Sequence, residues 1–243
     1  MKMYTFAIRC QKEILRDPLN IFFGLGFPVA LLLLMSAIQA AIPVDLFVIE
    51  KLTPGITVFA LSFMTLFAAT LIARDRETAL LQRLYTTPLR AADYILGYML
   101  PLVPIAVMQC AVCYLVAMAL GLSPSIHILY AIVSIVPIGI LHIALGLLFG
   151  SILNVKQVGG ICGALLTNLS GWLSGVWFDL DLVGGPFTKI ANLLPFVHAV
   201  EFEKAVLAGN FAEASAHILP VMGYMLAVSA GAVLLFLSQR KKQ

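Results

Sequence analysis

The chain has 243 residues, of which 61% are hydrophobic and 11% charged. Soluble domains carry roughly 25% charged residues, so this composition excludes a water-facing globule of that size, soluble enzymes included. A net charge of +3 gives no support to a nucleic-acid partner and leaves the placement of the charges as the informative variable.

Residues 1–18 predict an amphipathic helix. At about 100° per residue Arg9, Lys12, Glu13 and Arg16 share one face and Met3, Tyr4, Ala7, Ile8, Ile14 and Leu15 another, with Phe6 the main exception. Such a helix lies along the membrane interface with its basic side toward anionic lipid headgroups, and Asp17-Pro18 turns the chain into the bilayer. A solvated basic leader is the alternative. A secretory signal is disfavoured, because the apolar run over 21–42 exceeds the usual signal core of about 7–15 residues.

A hydrocarbon core about 30 Å thick needs about 20 apolar residues per helical span. Runs free of Asp, Glu, Lys and Arg cover 21–42, 54–73, 94–120, 126–153, 157–178 and 218–238. The expectation is an all-α integral membrane protein of six transmembrane helices, one domain over 1–243. Pro101, Pro104 and Pro137 fall in the two longest runs and predict kinks or interfacial extensions. Spanning β-strands would alternate in polarity over about ten residues, and these runs do not.

Lys2, Arg9, Lys12, Arg16, Arg74, Arg76, Arg83, Arg90, Lys156, Arg240, Lys241 and Lys242 fall on one side of this arrangement; only Lys51, Lys189 and Lys204 fall on the other, with Asp45, Glu50, Asp179, Asp181, Glu201, Glu203 and Glu213. The positive-inside rule then puts both termini in the cytoplasm. Between spans two and three, 74–92 predicts a short cytoplasmic helix. Asp75 and Glu77 suit its N-terminal end, Leu80, Leu81, Leu84 and Tyr85 form an apolar patch, and Pro88 stops it. It either docks in a groove of a soluble partner, with Arg76 and Arg83 setting register, or merely joins two spans. Residues 179–217 form an external segment before span six.

Little catalytic chemistry is evident. Cys110-x-x-Cys113 lies in an apolar run without nearby ligands and reads as core packing; Cys10 and Cys162 add no pattern. His127, His198 and His217 are far apart in sequence and are expected at the outer interface, without metal-binding spacing. His142 lies within a span and is expected to bond a neighbouring helix. All Asp and Glu lie outside the predicted spans, which weighs against an ion-driven transporter. Gln39, Gln109, Thr167 and Asn168 are candidates to line a substrate pathway or, more blandly, to bond between helices. Gly146-x-x-x-Gly150 and Gly171-x-x-x-Gly175 permit close helix approach.

The run Ala73-Arg-Asp-Arg-Glu-Thr-Ala-Leu-Leu-Gln-Arg-Leu, followed by Thr87-Pro88-Leu89, Tyr94-Ile-Leu-Gly97 and the later Leu194-Pro195, resembles a permease subunit of type-2, exporter-type ATP-binding-cassette transporters, and the likeness covers nearly the whole chain. It implies that the N-terminal helix is a connecting helix and 74–92 a coupling helix whose Arg76, Glu77, Leu80, Leu81, Arg83, Leu84 and Tyr85 touch an ATPase. It further implies a re-entrant hairpin within 179–217 turning near Pro195, and a cell-membrane location. Partners would be two cytoplasmic ATPase subunits, membrane lipids and a second permease copy or paralogue, with Gly171 and Gly175 near that interface. No Gly-x-x-x-x-Gly-Lys-Ser/Thr motif is present, so no cofactor is expected on this chain, and ATP and Mg belong to the partner. The expected function is export of a hydrophobic or amphipathic substrate such as a drug, antibiotic or lipid. An ATPase-independent channel or membrane scaffold is the alternative, and a membrane enzyme a distant third.

Overall fold

The computed structural model describes residues 2–78 and 91–241. The candidate coupling positions Leu80, Leu81, Arg83, Leu84 and Tyr85 lie outside them. The described residues form helices and connecting turns, with no strand among them.

Helix α1 (Lys2–Arg16) has three faces rather than two. Arg9, Lys12, Glu13 and Arg16 carry its charge, Tyr4, Ile8 and Leu15 are exposed apolar residues, and Phe6, Cys10 and Ile14, four residues apart, are buried against the bundle. Phe6, the exception in the two-face reading, belongs to this inward stripe. Its ring meets those of Tyr98 and Tyr94 edge-on at 4.9 and 6.1 Å, and its burial contributes about 2 kcal/mol.

Helix α2 (Pro18–Ala41) opens into a wider turn over Phe22–Gly26, where the Phe27 N–H donates to the Phe22 carbonyl. Pro28 has no N–H for the Gly24 carbonyl, and the turn before it loosens accordingly. Helix α3 (Ile49–Glu77) bends at Leu61 and is the central element: 89% of its apolar window is buried, against 17% for α2. Helix α4 (Ala91–Ala119) breaks at Leu100-Pro101, because Pro101 and Pro104 leave the Gly97 and Leu100 carbonyls without helical donors. In α5 (Ile126–Ile152) Pro137 is accommodated without interruption.

The fifth predicted span departs most from expectation. Helix α6 runs from Val155 only to Trp172, passes through a π-helical stretch at Gly159–Leu166, and is not among the five described helices long and apolar enough to cross a membrane. Its successor residues turn, with Gly175 at φ +72°. Gly171-x-x-x-Gly175 is therefore no helix-packing motif. Short helices α7 (Leu180–Val183) and α8 (Gly185–Leu193) lead into α9 (Pro195–Ala208), and α10 (Phe211–Lys241) begins seven positions earlier than the predicted 218.

Helix α9 is no surface excursion. It is sandwiched among α3, α5 and α10, with Phe196, Val200, Glu203 and Val206 among its buried residues. It runs antiparallel to α5: Glu203 meets Ser134, and the Phe196 ring lies 6.1 Å from that of His142. The Leu194-Pro195 turn thus sits some 16 residues, or about 24 Å, along α5 from Ile126.

Candidate functional site

The richest polar cluster lies where α1 meets the bases of α3, α4, α5 and α6. Asp75, near the end of α3, is 1% exposed. Arg9 donates to both its oxygens, Nη1 to Oδ2 at 2.6 Å and Nη2 to Oδ1 at 2.7 Å, and Tyr98 Oη donates to Oδ2 at 2.7 Å. One carboxylate therefore ties α1, α3 and α4 through a bidentate, charge-assisted contact. Arg9 also pairs with Glu13 at 2.8 Å. Partial burial works against the Arg9 cation, and the bonds and charge of Asp75 outweigh that, so its pKa is raised. Beneath it, burial pushes the Cys10 thiol up to about 12. The close approach of α1 to α4 needs Gly97, since a Cβ there would strike the Phe6 ring.

The next two residues serve the α5–α6 turn. Arg76 Nη1 donates to the Gly150 and Leu153 carbonyls at 2.9 and 3.1 Å, satisfying oxygens at the end of α5. Glu77 Oε1 accepts from the Val155 N–H at 3.0 Å, adding to the Asn154–Gln157 capping box that starts α6. Arg76 and Glu77, both predicted partner contacts, thus brace the base of the bundle from within the chain. Arg74 reaches Asp17 at 3.6 Å. A cleft of about 780 Å³ opens beside α1, lined by Arg9, Lys12, Arg16 and Arg74 among others.

Above the base, α3 and α5 lie backbone to backbone: a Cβ on Gly146 or Gly150 would collide with main-chain atoms of Thr65 and Ala69. Both glycines pack within the chain. Thr65 Oγ1 donates to the His142 carbonyl at 2.8 Å. The His142 Nδ1 lies 3.0 Å from the Ile138 carbonyl, so its partner is its own helix, not a neighbouring one. Gly171 also faces inward, toward Trp177 and Phe59.

The four pathway candidates do not converge. Gln39 clamps the loop after α2, donating to the Val44 carbonyl at 2.8 Å and accepting from the Phe47 N–H at 2.5 Å. Gln109 is buried and donates to the Thr57 carbonyl at 3.5 Å, its Oε1 unpartnered. Thr167 is buried and donates to Cys162, whereas Asn168 is exposed and donates to Ala164. None of them lines the cleft beside α1 or the cavity of about 830 Å³ at the opposite end, whose lining includes Phe47, Lys51, Trp177, Asp181 and Glu201.

Two features at that opposite end were not legible. His198 and His217, placed apart by sequence distance, approach at 3.1 Å between Nδ1 atoms and join α9 to α10. Glu203, counted among the external acids, is fully buried. All four cysteines are free and buried, and no group of three or more His, Cys, Asp or Glu suited to a metal occurs among the described residues.

No curated protein matches the chain. Residues 1–206 do match the family described as ABC-2 type transporter, and with most of its length covered the chain belongs to that family, as the membrane component of an ABC transporter.

Proposed function

We propose that this chain is the permease of an ATP-driven exporter that moves a hydrophobic or amphipathic substrate out of the cytoplasm or inner leaflet of the cell membrane. Two cytoplasmic ATPase subunits drive it, and a second permease copy or paralogue completes the pathway. The termini face the cytoplasm, and 74–92 is the coupling segment.

The observation that supports this reading most is the Arg9–Asp75–Tyr98 contact, which ties α1 to the roots of both helices flanking 79–90. Arg76 and Glu77 extend the connection to α5 and α6. A push on the link is then carried to five helices at once instead of being lost in loop motion. ATP and Mg act on the partner, and the five-helix base is what receives the motion.

Replacing Leu80 and Leu84 together by Asp tests it. The expected result is loss of ATPase co-purification and of transport-coupled hydrolysis, with the permease still inserted. Retention of both would overturn the docking, and transport by the isolated chain without nucleotide would establish the channel alternative.

A further inference from the structure

Among the described residues two carboxyl groups are buried, and only Asp75 has a cation. Glu203 lies on α9 where that helix packs against α5, 0% exposed. No Lys, Arg or His is within ion-pair distance of it among the described residues. Its Oε2 has no hydrogen-bond partner, and its Oε1 is 3.0 Å from Ser134 Oγ.

The contacts at Ser134 accommodate a proton on Glu203. Ser134 Oγ is 3.0 Å from the Ala131 carbonyl oxygen as well as 3.0 Å from Glu203 Oε1. It has one hydrogen, which an ionised Glu203 would have to share with the Ala131 carbonyl, itself already an acceptor within α5. With a neutral carboxylic acid both contacts are satisfied: Ser134 donates to Ala131, and Glu203 Oε1–H donates to Ser134. An ionised form would also leave a charge in an apolar interior without compensation.

The facing groups supply none. From α4 these are Cys110 and Tyr114, both within electrostatic reach of Glu203, with the buried Tyr114 hydroxyl itself unpartnered. On α9, Lys204 bonds Glu201 at 2.8 Å and His198 bonds His217 of α10. The other titratable groups of α10 nearby, Glu213 and Tyr224, are taken by Asn210 and the Leu193 carbonyl. On α5, His127 meets the Phe211 ring edge-on and His142 is held by Ile138. The outer end of α3 brings Glu50, exposed on its first turn, and Lys51, which lines the outer cavity, while its buried Thr53 and Thr57 bond their own helix. Lys189 on α8 forms no ion pair among the described residues.

We propose that Glu203 is a proton-binding site: it is a neutral acid while α9 packs on α5, and it releases its proton to water when α9 separates and the carboxyl is hydrated. Protonation then favours α9 packed on α5, and ionisation favours their separation. The inference concerns α9 alone and stands apart from the export reading; it holds or fails whether or not an ATPase binds.

The test uses the full chain in lipid nanodiscs. The infrared difference between wild type and Glu203→Gln at neutral pH should contain the carbonyl stretch of a protonated carboxylic acid, lost at alkaline pH. A difference containing only carboxylate bands at neutral pH would overturn the proposal. Because the folded chain holds this proton more tightly than the unfolded one, the stabilisation is full in acid and lost as pH rises through the folded-state titration. Wild-type thermal stability should therefore fall on the alkaline side, and that fall should be absent in Glu203→Gln. Equal pH dependence in the two chains counts against the site. So does a Gln variant that fails to fold, because the amide offers Ser134 the same donor as the neutral acid.

Discussion

The two ends of the bundle handle buried charge in opposite ways. At the base, Asp75 receives two guanidinium hydrogens and a phenol, and Arg76 and Glu77 satisfy the ends of two further helices. At the opposite end, Glu203 has a single hydroxyl for company and three buried polar atoms, on Gln109, Tyr114 and Glu203, have no partner. A base in which one buried carboxylate is held jointly from two other helices moves as a unit, because separating either helix from α3 gives up a bond to a buried charge. An end held mainly by apolar contact exchanges its few polar partners at smaller cost. The contrast teaches which end can transmit a displacement and which can change shape in response.

The largest expected effect comes from forcing α3 and α5 apart. Gly150→Leu drives a side chain into the Ala69 backbone along the α3–α5 contact, and should cost more than about 3 kcal/mol, seen as loss of monodisperse protein and a lowered Tm. Next is the base itself. Asp75→Ala leaves Arg9 and the buried Tyr98 hydroxyl without their acceptor and should cost about 2–3 kcal/mol, less than a wholly enclosed pair because Arg9 can turn toward water. Cys10 reports it: enclosed, and kept poorly ionised by burial despite the Arg9 charge, its thiol should resist maleimide in wild type and react roughly tenfold faster or more in Asp75→Ala. A base that opened no faster in that variant would erase the contrast. Arg74→Ala sharpens it from the other side. This half-exposed pair with Asp17 at 3.6 Å should matter by no more than about 0.5 kcal/mol in thermal melts.

Hydropathy made α2, α3, α4, α5 and α10 legible, because each is a long run that only a bilayer or a buried core can accommodate. It overestimated the fifth span: Gly159, Gly160 and Gly163 loosen α6, and the chain turns after Trp172. The base was half legible. Asp75 was noticed, but as an N-terminal helix residue; that it gathers Arg9 and Tyr98 from 66 and 23 positions away is a tertiary fact with no local pattern. Charge counting left the burial of Glu203 unseen for a related reason. Sorting ionisable residues by loop assumes that they seek water, and a protonated acid need not. His198 and His217 were missed because the antiparallel packing of α9 on α10 cancels their separation of 19 residues.

The interruption at Leu100-Pro101 divides α4 into a short root, Ala91–Met99, and a long upper segment, Leu102–Ala119. The root holds Tyr94, Gly97 and Tyr98, and so is fastened to α1 on its own side of the break. Two prolines have removed the backbone bonds that would otherwise make both segments one stiff rod. The joint divides the helix between two allegiances: Tyr98 and Gly97 fasten the root to Asp75 of α3 and to α1, so it belongs to the base, while the segment above, with Gln109, Cys110 and Tyr114 buried, belongs to the bundle interior.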